Sequence, residues 1–226
     1  MKRAVDLLFS LITIIIFLPF GLVLAILLRL TGEGKIFYCQ PRVGYQGNIF
    51  KMVKFATMLE DSPNLGTGDI TLKDDPRVLP LGRFLRQTKI NEIPQVFNLL
   101  KGDMTLVGPR PLTPRIFDLY PEHVKKEIVN VRPGLTGVAA IIFRDEESII
   151  SRSSKNYLEF CRDEIAVYKG NLELWYIKNQ NFFLDLKIVM LTVWVILFKE
   201  SRLPFRVLND LPPRTPWTPM AQAAEE

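Results

Sequence analysis

The chain has 226 residues, with 29 lysines and arginines against 24 aspartates and glutamates, and so a formal net charge of +5. Because 48% of the residues are hydrophobic and 23% are charged, the chain can bury a core, which excludes global disorder. Two cysteines exclude a disulfide scaffold or a four-cysteine zinc site, and one histidine excludes a site built on two imidazoles. The basic excess suits anionic lipid, phosphorylated ligands or nucleic acid.

The first predicted element is an uncharged apolar segment from Leu7 to Leu28, which is long enough for a membrane helix because roughly 20 apolar residues suffice. Pro19 lies within it, where a proline removes a backbone donor and kinks a helix. Basic residues flank both ends: Lys2, Arg3, Arg29 and Lys35. Because positive charges favour the cytoplasmic side, we predict a re-entrant hairpin, helix–break–helix, at 1–34. A single kinked span is the alternative.

Residues 35–200 read as a small globular domain. Two β-favouring runs, 36–39 and 49–53, flank a glycine-containing turn and predict a β-hairpin. Helical spacing of the apolar residues predicts helices at 79–86, 92–100, 121–129, 153–170 and 172–180. The fold class is therefore a mixed α/β type that is mostly α-helical.

The last apolar run, 182–198, contains Asp185 and Lys187, so its uncharged part is short for a membrane crossing. It predicts an amphipathic helix in the membrane interface, with a helix buried in the core as the alternative. Residues 201–226 contain five prolines and form a separate tail with little regular structure.

Four arginines stand next to prolines, in turns that the sequence predicts to be stiff: Arg42, Arg77, Arg110 and Arg132. A guanidinium offers a planar fork of donors that fits phosphate oxygens, and a rigid turn reduces the entropy lost on binding. Carboxylates near them in sequence, together with a phosphate ligand, imply Mg²⁺. Surface salt bridges are the alternative for any single arginine. Nucleic acid is disfavoured, because no basic–aromatic motif accompanies these arginines.

Several short motifs follow one another along the chain and together resemble one family. They are Lys2-Arg3-x-x-Asp6, Lys54-Phe55-x-Thr57-Met58, Asp75-Pro76-Arg77, Leu85-Arg86, Glu92-x-Pro94-Gln95, Leu100-Lys101-Gly102-Asp103-Met104, Val107-Gly108-Pro109-Arg110-Pro111-Leu112, Arg132-Pro133-Gly134-x-Thr136-Gly137 and Asp185-Leu186-Lys187-Ile188. Over residues 1–198 the chain resembles the bacterial sugar transferases, the monotopic phosphoglycosyl transferases.

This resemblance implies an enzyme that transfers a sugar-1-phosphate from a UDP-sugar to a polyprenyl phosphate, commonly undecaprenyl phosphate, releases UMP and uses Mg²⁺. The family mechanism passes through a covalent phosphosugar-enzyme formed on an aspartate. The implied location is the bacterial inner membrane, with the catalytic domain, 35–200, on the cytoplasmic face and membrane lipid as a partner. Downstream glycosyltransferases or a second copy of the chain are further candidate partners.

The resemblance also assigns roles to particular residues. The catalytic pair falls on Asn91 and Glu92, with Glu92 as the metal ligand. Substrate phosphates are assigned to basic side chains: Lys54, Arg77, Arg86, Arg110 and Arg132. Lys2, Arg3, Asp6 and Pro19 belong to the membrane anchor. We expect Arg77, Arg110 and Arg132 to converge near Glu92.

The sequence departs from the family pattern at its most reactive position, because Asn91 stands where the family has its aspartate nucleophile. An amide is far too poor a nucleophile to replace a carboxylate. Three explanations remain open: a substitution that traps an inactive form, attack by Glu92 or a neighbouring carboxylate, or a non-catalytic membrane scaffold. Ala56 and Leu18 also differ from the family pattern. The segment 138–144 differs as well, and because this change bears on the sugar or nucleotide pocket, it leaves the sugar unassigned.

Overall fold

The computed structural model describes residues 2–153, 156–198 and 201–213. The strands are β1 (Phe37–Val43), β2 (Ile49–Phe55), β3 (Thr105–Val107) and β4 (Gly134–Thr136). The α-helices are α1 (Lys2–Leu30), α2 (Pro80–Gln87), α3 (Val96–Lys101), α4 (Pro114–Phe117), α5 (Glu122–Ile128), α6 (Val138–Ile142), α7 (Glu146–Arg152), α8 (Tyr157–Phe160), α9 (Ala166–Asn179), α10 (Phe182–Leu197) and α11 (Leu203–Val207). The predicted class, mostly helical with a short antiparallel hairpin, is confirmed.

Helix α1 is the one helix in the described part of the chain that is long and apolar enough to cross a membrane. It runs as one continuous helix through Pro19, so the break predicted within the hairpin is not present. A proline removes one backbone donor and can bend a helix without ending it. The re-entrant path of the chain stays a prediction.

Both ends of α1 pack on the same globular body. Near its start, Phe9 packs against the cluster of Met52, Leu99 and Met104. Near its end, Leu28 is buried with Phe55 and Leu85. The side chains between these contacts include large exposed apolar residues, among them Ile15, Leu18, Phe20 and Val23. The helix therefore touches the domain along one face and presents apolar side chains along the other.

The predicted hairpin is confirmed, with β1 and β2 antiparallel and Val43 paired with Ile49 beside the turn. Gln46 and Gly47 have positive φ angles of 57° and 75°. Such angles are common in tight turns, where glycine adopts them without strain. The hairpin carries Lys54 at the far end of β2, one residue before the strand ends.

Strands β3 and β4 form a short parallel pair that brings two proline–glycine turns together. A Cβ atom on Gly134 would lie 2.2 Å from the backbone nitrogen of Gly108, and one on Gly137 would lie 2.3 Å from its carbonyl oxygen. Only glycine leaves space for this approach. The turn that carries Arg110 is thereby fixed against the turn that follows Arg132.

The helix predicted at 92–100 is divided in the structure. A 3₁₀ helix spans Ile90–Gln95 and α3 follows it, ending at Gly102 with φ of 88°. Glycine adopts this left-handed conformation at helix ends without strain. Within α3, Asn98 and Leu99 face inward, whereas Phe97 is 45% exposed.

Helices α9 and α10 form the centre of the largest core cluster, to which Leu172, Tyr176 and Ile188 contribute fully buried side chains. The break predicted near Gly170 is wrong, because α9 continues through it. A Cβ atom on Gly170 would lie 2.9 Å from Val124, so this glycine lets α5 pack closely on α9. One face of α10 is buried in the core; the other is exposed and apolar, with Phe183, Met190, Leu197 and similar residues.

The predicted tail is only partly described. It contains the short helix α11, and Leu208 beyond that helix joins the main core cluster. Residues 214–226 lie outside the described part, so the prediction for them is not addressed.

Candidate active site

The candidate site is centred on the carboxylate of Glu92, which the 3₁₀ helix places between β2 and the turn after β3. Its Oε1 lies 2.5 Å from Nη2 of Arg110 and 3.9 Å from Nζ of Lys54. The side chains of Glu92, Lys54 and Arg110 are 15%, 18% and 27% exposed. Three separate segments of the chain therefore bring an acid and two bases together at a half-buried position.

Further basic residues lie close enough for their charges to act on this group: Arg42, Arg86 and Lys89. Burial by itself would raise the pKa of Glu92, but Arg110, Lys54 and Lys89 outweigh it and hold that pKa well below its usual range. Glu92 is therefore ionised at neutral pH.

The same burial and crowding lower the pKa values of two basic side chains near Glu92, those of Lys54 and Arg42. Burial, assisted by Arg110, Arg42 and Arg86, lowers the pKa of Lys54 well below its usual value in spite of Glu92. Burial and then the charge of Arg110 lower the pKa of Arg42 to about 10. Burial is the larger cause of both shifts, and the neighbouring positive charges add to it. Basic groups therefore outnumber the one carboxylate at this position, and an anion would reduce their mutual repulsion.

The backbone beside Glu92 has two unusual features. Lys89 is in the left-handed region, with φ of 61°, which is strained for a residue other than glycine. Asn91 and Gln95 are buried, and Asn91 Oδ1 and both amide atoms of Gln95 have no hydrogen-bond partner among the described residues. Buried polar groups are normally paired. A bound ligand or water could therefore form hydrogen bonds with these atoms.

Arg86, at the end of α2, forms an ion pair with Glu147 on α7 and also contacts the sulfur of Met58. Its charge still reaches Lys54 and Lys89, so Arg86 lies at the edge of the site. The structure thus brings three of the five basic residues predicted to bind phosphate to one place: Lys54, Arg86 and Arg110.

Arg77 is a correction to the expected convergence. It is buried, and its guanidinium bonds to the Asp75 carboxylate and to the backbone oxygens of Ser62, Leu65, Gly68 and Ile70. Together with the Thr67 hydroxyl, these acceptors occupy all of its donors. In this structure Arg77 has no donor left for a phosphate group and instead holds the 62–75 loop.

Arg132 is the second correction, because its side chain is exposed and lies over the ring of Tyr45, with Cζ 5.7 Å from the ring centroid. None of its described contacts reaches Glu92. The charges of Arg42 and Lys89, two residues that we had not expected here, interact with Glu92 instead.

The residues assigned to the membrane anchor join α1 to the domain. Asp6 is buried; its Oδ1 accepts hydrogen bonds from the backbone N of Leu106 at 2.7 Å and from the hydroxyl of Thr105 at 3.0 Å. Arg3 donates to the carbonyl oxygens of Leu99 and Leu100 at the end of α3, where a positive charge is favourable. Pro19 is exposed in the middle of α1.

Lys2 completes this junction at the first turn of α1. Its ammonium lies 3.1 Å from Asp185 Oδ2 and donates to the hydroxyl of Tyr176, also at 3.1 Å. Asp185 belongs to the first turn of α10, so Lys2 joins the starts of two helices that are far apart in sequence.

Sequence reasoning missed Glu173, which is 5% exposed on α9. Its Oε1 accepts a hydrogen bond from the backbone N of Arg110 at 3.2 Å, and its Oε2 has no partner among the described residues. Burial raises the pKa of Glu173 to about 7. One signal for it was available: a glutamate between two leucines, one turn before a tyrosine on the same helix face.

The described residues contain no group of three or more metal-ligating side chains of the His, Cys, Asp and Glu types. Glu92 can supply one carboxylate, which suits Mg²⁺ only if other ligands come from elsewhere. Mg²⁺ is commonly held by one or two carboxylates together with substrate phosphates. The residues therefore fit a metal that binds together with a phosphorylated substrate.

Comparison with known proteins agrees with the geometry. Residues 1–199 match the bacterial sugar transferase family, and the chain belongs to that family. It is 34% identical over 207 residues to undecaprenyl-phosphate glucose phosphotransferase of Komagataeibacter xylinus, covering 88% of this chain and 36% of the relative. It is 31% identical over 216 residues to undecaprenyl-phosphate galactose phosphotransferase of Salmonella typhimurium, covering 89% of this chain and 41% of the relative.

A third relative is of similar length. Exopolysaccharide production protein ExoY of Rhizobium meliloti is 30% identical over 206 residues, covering 85% of this chain and 83% of the relative. The chain spans less than half the length of the glucose and galactose phosphotransferases that it matches.

Proposed function

We propose that this chain transfers a sugar-1-phosphate from a UDP-sugar to undecaprenyl phosphate and releases UMP. The observation that carries the proposal is the excess of basic side chains around the ionised Glu92. The family and the names of its phosphotransferase relatives support the lipid phosphate acceptor.

A pyrophosphate fits the charge balance of the site. Lys54 and Arg110 pair with one carboxylate, and the charges of Arg42 and Lys89 also act on it. The repulsion among these four cations falls when a polyanion enters. Phosphoryl transfer needs positive charge around the equatorial oxygens of the transferred group. Arg110 offers the planar fork that matches two such oxygens. Mg²⁺, when bound with the substrate, would neutralise further phosphate charge.

We assign the attack to Glu92, the carboxylate that lies within the basic cluster. In this scheme its oxygen bonds to the β-phosphorus of the UDP-sugar while the bond from that phosphorus to the bridging oxygen breaks, so the electron pair leaves with UMP. An oxygen of the lipid phosphate then attacks the same phosphorus, and the Glu92 carboxylate is released. Asn91, whose amide is a poor nucleophile, would contribute its free carbonyl oxygen to substrate binding.

The packing of α1 supports an active site at the membrane surface, held there by a helix that does not cross the bilayer. Lys2 and Asp6 near its start and Leu28 near its end all contact the same domain, so both ends lie on one side if the helix enters a bilayer. We propose that α1 stays on the cytoplasmic side of the inner membrane, with its exposed apolar side chains inserted into that leaflet. The exposed apolar face of α10 would lie in the interface, with Trp194 at the boundary.

The test is UMP release in nanodiscs that contain undecaprenyl phosphate and Mg²⁺, with a panel of UDP-sugars. We expect UMP from the wild-type chain with at least one sugar, and its loss in Glu92→Gln. Arg132→Lys is the matched control, since Arg132 lies outside the cluster, and it should retain activity. If Glu92→Gln retains full activity, the assignment of the attack is wrong.

The second candidate function is a non-catalytic membrane protein that binds a UDP-sugar, and Asn91 is the observation that favours it. Asn91→Asp separates the two. UMP release only in the Asn91→Asp variant would mean that the wild-type chain binds without turnover. Retained UDP-sugar binding with no UMP from either form would favour the scaffold.

A further inference from the structure

Helix α9 contacts the turn that carries Arg110 at two points. Glu173 Oε1 accepts from the backbone N of Arg110 at 3.2 Å. Tyr176, one turn further along α9, has its hydroxyl 3.0 Å from the carbonyl oxygen of Val107. Both side chains are buried, at 5% and 1% exposure. One rigid helix therefore holds both ends of the four-residue segment 107–110.

The bond from Arg110 to Glu173 has no substitute in this turn. Arg110 stands between Pro109 and Pro111, neither of which has a backbone N–H. The amide of Arg110 is the only backbone donor of these three residues, and Glu173 accepts its hydrogen bond. A buried amide without a partner is unfavourable, so removal of the acceptor would favour a shift of the turn.

The direction of the Arg110 side chain depends on this turn. Its Nη2 lies 2.5 Å from Glu92, and its Nη1 donates to the carbonyl oxygen of Leu135 at 3.3 Å. Among the described hydrogen bonds and ion pairs, Glu173 reaches Arg110 through the backbone and has no direct bond to Glu92 or Lys54. Glu173 can therefore affect the site by fixing the backbone position from which the Arg110 side chain extends.

We propose that Glu173 is a positioning residue for Arg110, and that its carboxylate sets the guanidinium against Glu92 and the substrate pyrophosphate. This inference rests on the proposed function, because it takes a pyrophosphate as the ligand of Arg110. Placement of a binding group within a fraction of an ångström strongly affects affinity and rate. Loss of the acceptor at 173 therefore weakens pyrophosphate binding without removing any group that touches it.

A double-mutant cycle with UDP as the probe tests the proposal, by calorimetric titration of the full-length chain in nanodiscs. Glu173→Met keeps the side-chain volume but has no acceptor, and we expect it to raise the dissociation constant for UDP about tenfold. In an Arg110→Ala background the same change should have no further effect, because no guanidinium remains to be positioned. Glu173→Gln, which keeps an oxygen acceptor, should restore binding to within about twofold of wild type.

The outcomes are distinguishable from failure of the proposed function. If the wild-type chain does not bind UDP, the proposed function is wrong. If it binds UDP and Glu173→Met binds equally well, or weakens binding by the same factor with and without Arg110, the positioning role is wrong while the function stands. Glu173→Leu replaces Glu173→Met if thermal unfolding shows that the methionine variant does not fold, and the same criteria apply.

Discussion

The ammonium of Lys2 lies 3.1 Å from Asp185 Oδ2, which bonds the first turn of α1 to the first turn of α10. The same ammonium donates to Tyr176, whose hydroxyl lies 3.0 Å from the carbonyl oxygen of Val107, three residues before Arg110. A continuous set of polar contacts therefore runs from the apolar helix to the turn that carries the main arginine of the site.

The first prediction concerns this ion pair. Asp185→Asn removes the charge that faces Lys2, and we expect a loss of stability of up to about 1 kcal/mol, because Lys2 is largely exposed and solvent screens the pair. The measurement is urea unfolding in detergent micelles. Glu60→Gln is the matched control, since its pair with Lys35 is more exposed and should contribute nothing measurable. Equal losses in both variants would contradict a special role for the Lys2 junction.

The second prediction concerns Asp6, the buried acceptor at the start of α1. Asp6→Ala leaves the backbone amide of Leu106 and the hydroxyl of Thr105 without their partner, which should cost about 2 kcal/mol. Asp6→Asn keeps one oxygen acceptor and should cost clearly less. Urea unfolding of the two variants side by side is the check. If alanine and asparagine destabilise the chain equally, the acceptor role is wrong and the negative charge itself is what matters.

The third prediction follows from the burial of Arg77. Lysine cannot reproduce the fork that bonds Asp75 and the loop carbonyls, so Arg77→Lys should lower the free energy of unfolding by about 3 kcal/mol. Limited proteolysis should then cut within 62–75. Arg132→Lys, at an exposed arginine, should change neither quantity. A folded, stable Arg77→Lys variant that had lost UDP binding would instead make Arg77 a phosphate ligand.

The sequence predicted those parts of the site that follow from local pattern. Arg110 between two prolines and Glu92 in its motif were both identified, and the structure brings them together. Arg77 and Arg132 have the same proline neighbours but do not join them. A stiff turn fixes the local backbone and does not determine which surface of the domain the turn will face.

The residues that sequence reasoning missed depend on long-range packing. Glu173 acts through a backbone amide 63 positions away, and its environment exists only once α9 has packed behind the Arg110 turn. Lys89, whose charge acts on Glu92, has a left-handed backbone that no lysine propensity predicts. Helix α1 also continues through Pro19, where the sequence predicted a break.

The fourth prediction is a dependence of stability on pH. The folded chain has a pKa of about 7 for Glu173, above the ordinary value of 4.5, so the folded state holds the proton more tightly than the unfolded state. This contribution to stability is complete below about pH 4.5 and is lost as pH rises through 7. At ~1.4 kcal/mol per pKa unit the loss reaches about 3 kcal/mol.

Glu173→Gln has no proton to lose, so its stability relative to the wild-type chain should increase between pH 4.5 and 7 and then level off. Urea unfolding of the two chains across this range measures the difference, and effects of other titrating groups cancel in it. A difference that stays constant with pH would contradict the burial of an ionisable Glu173.

The most direct test of the central claim follows the β-phosphate of the donor. Full-length chain in nanodiscs is incubated with Mg²⁺, undecaprenyl phosphate and UDP-sugars labelled with ³²P at the β-phosphate, and the lipid is then extracted. We predict that the label moves into the lipid fraction with the correct sugar, and that Arg110→Ala and Glu92→Gln prevent this. Label that stays in the aqueous phase with every sugar, while the chain remains folded, would contradict sugar-1-phosphate transfer by this protein.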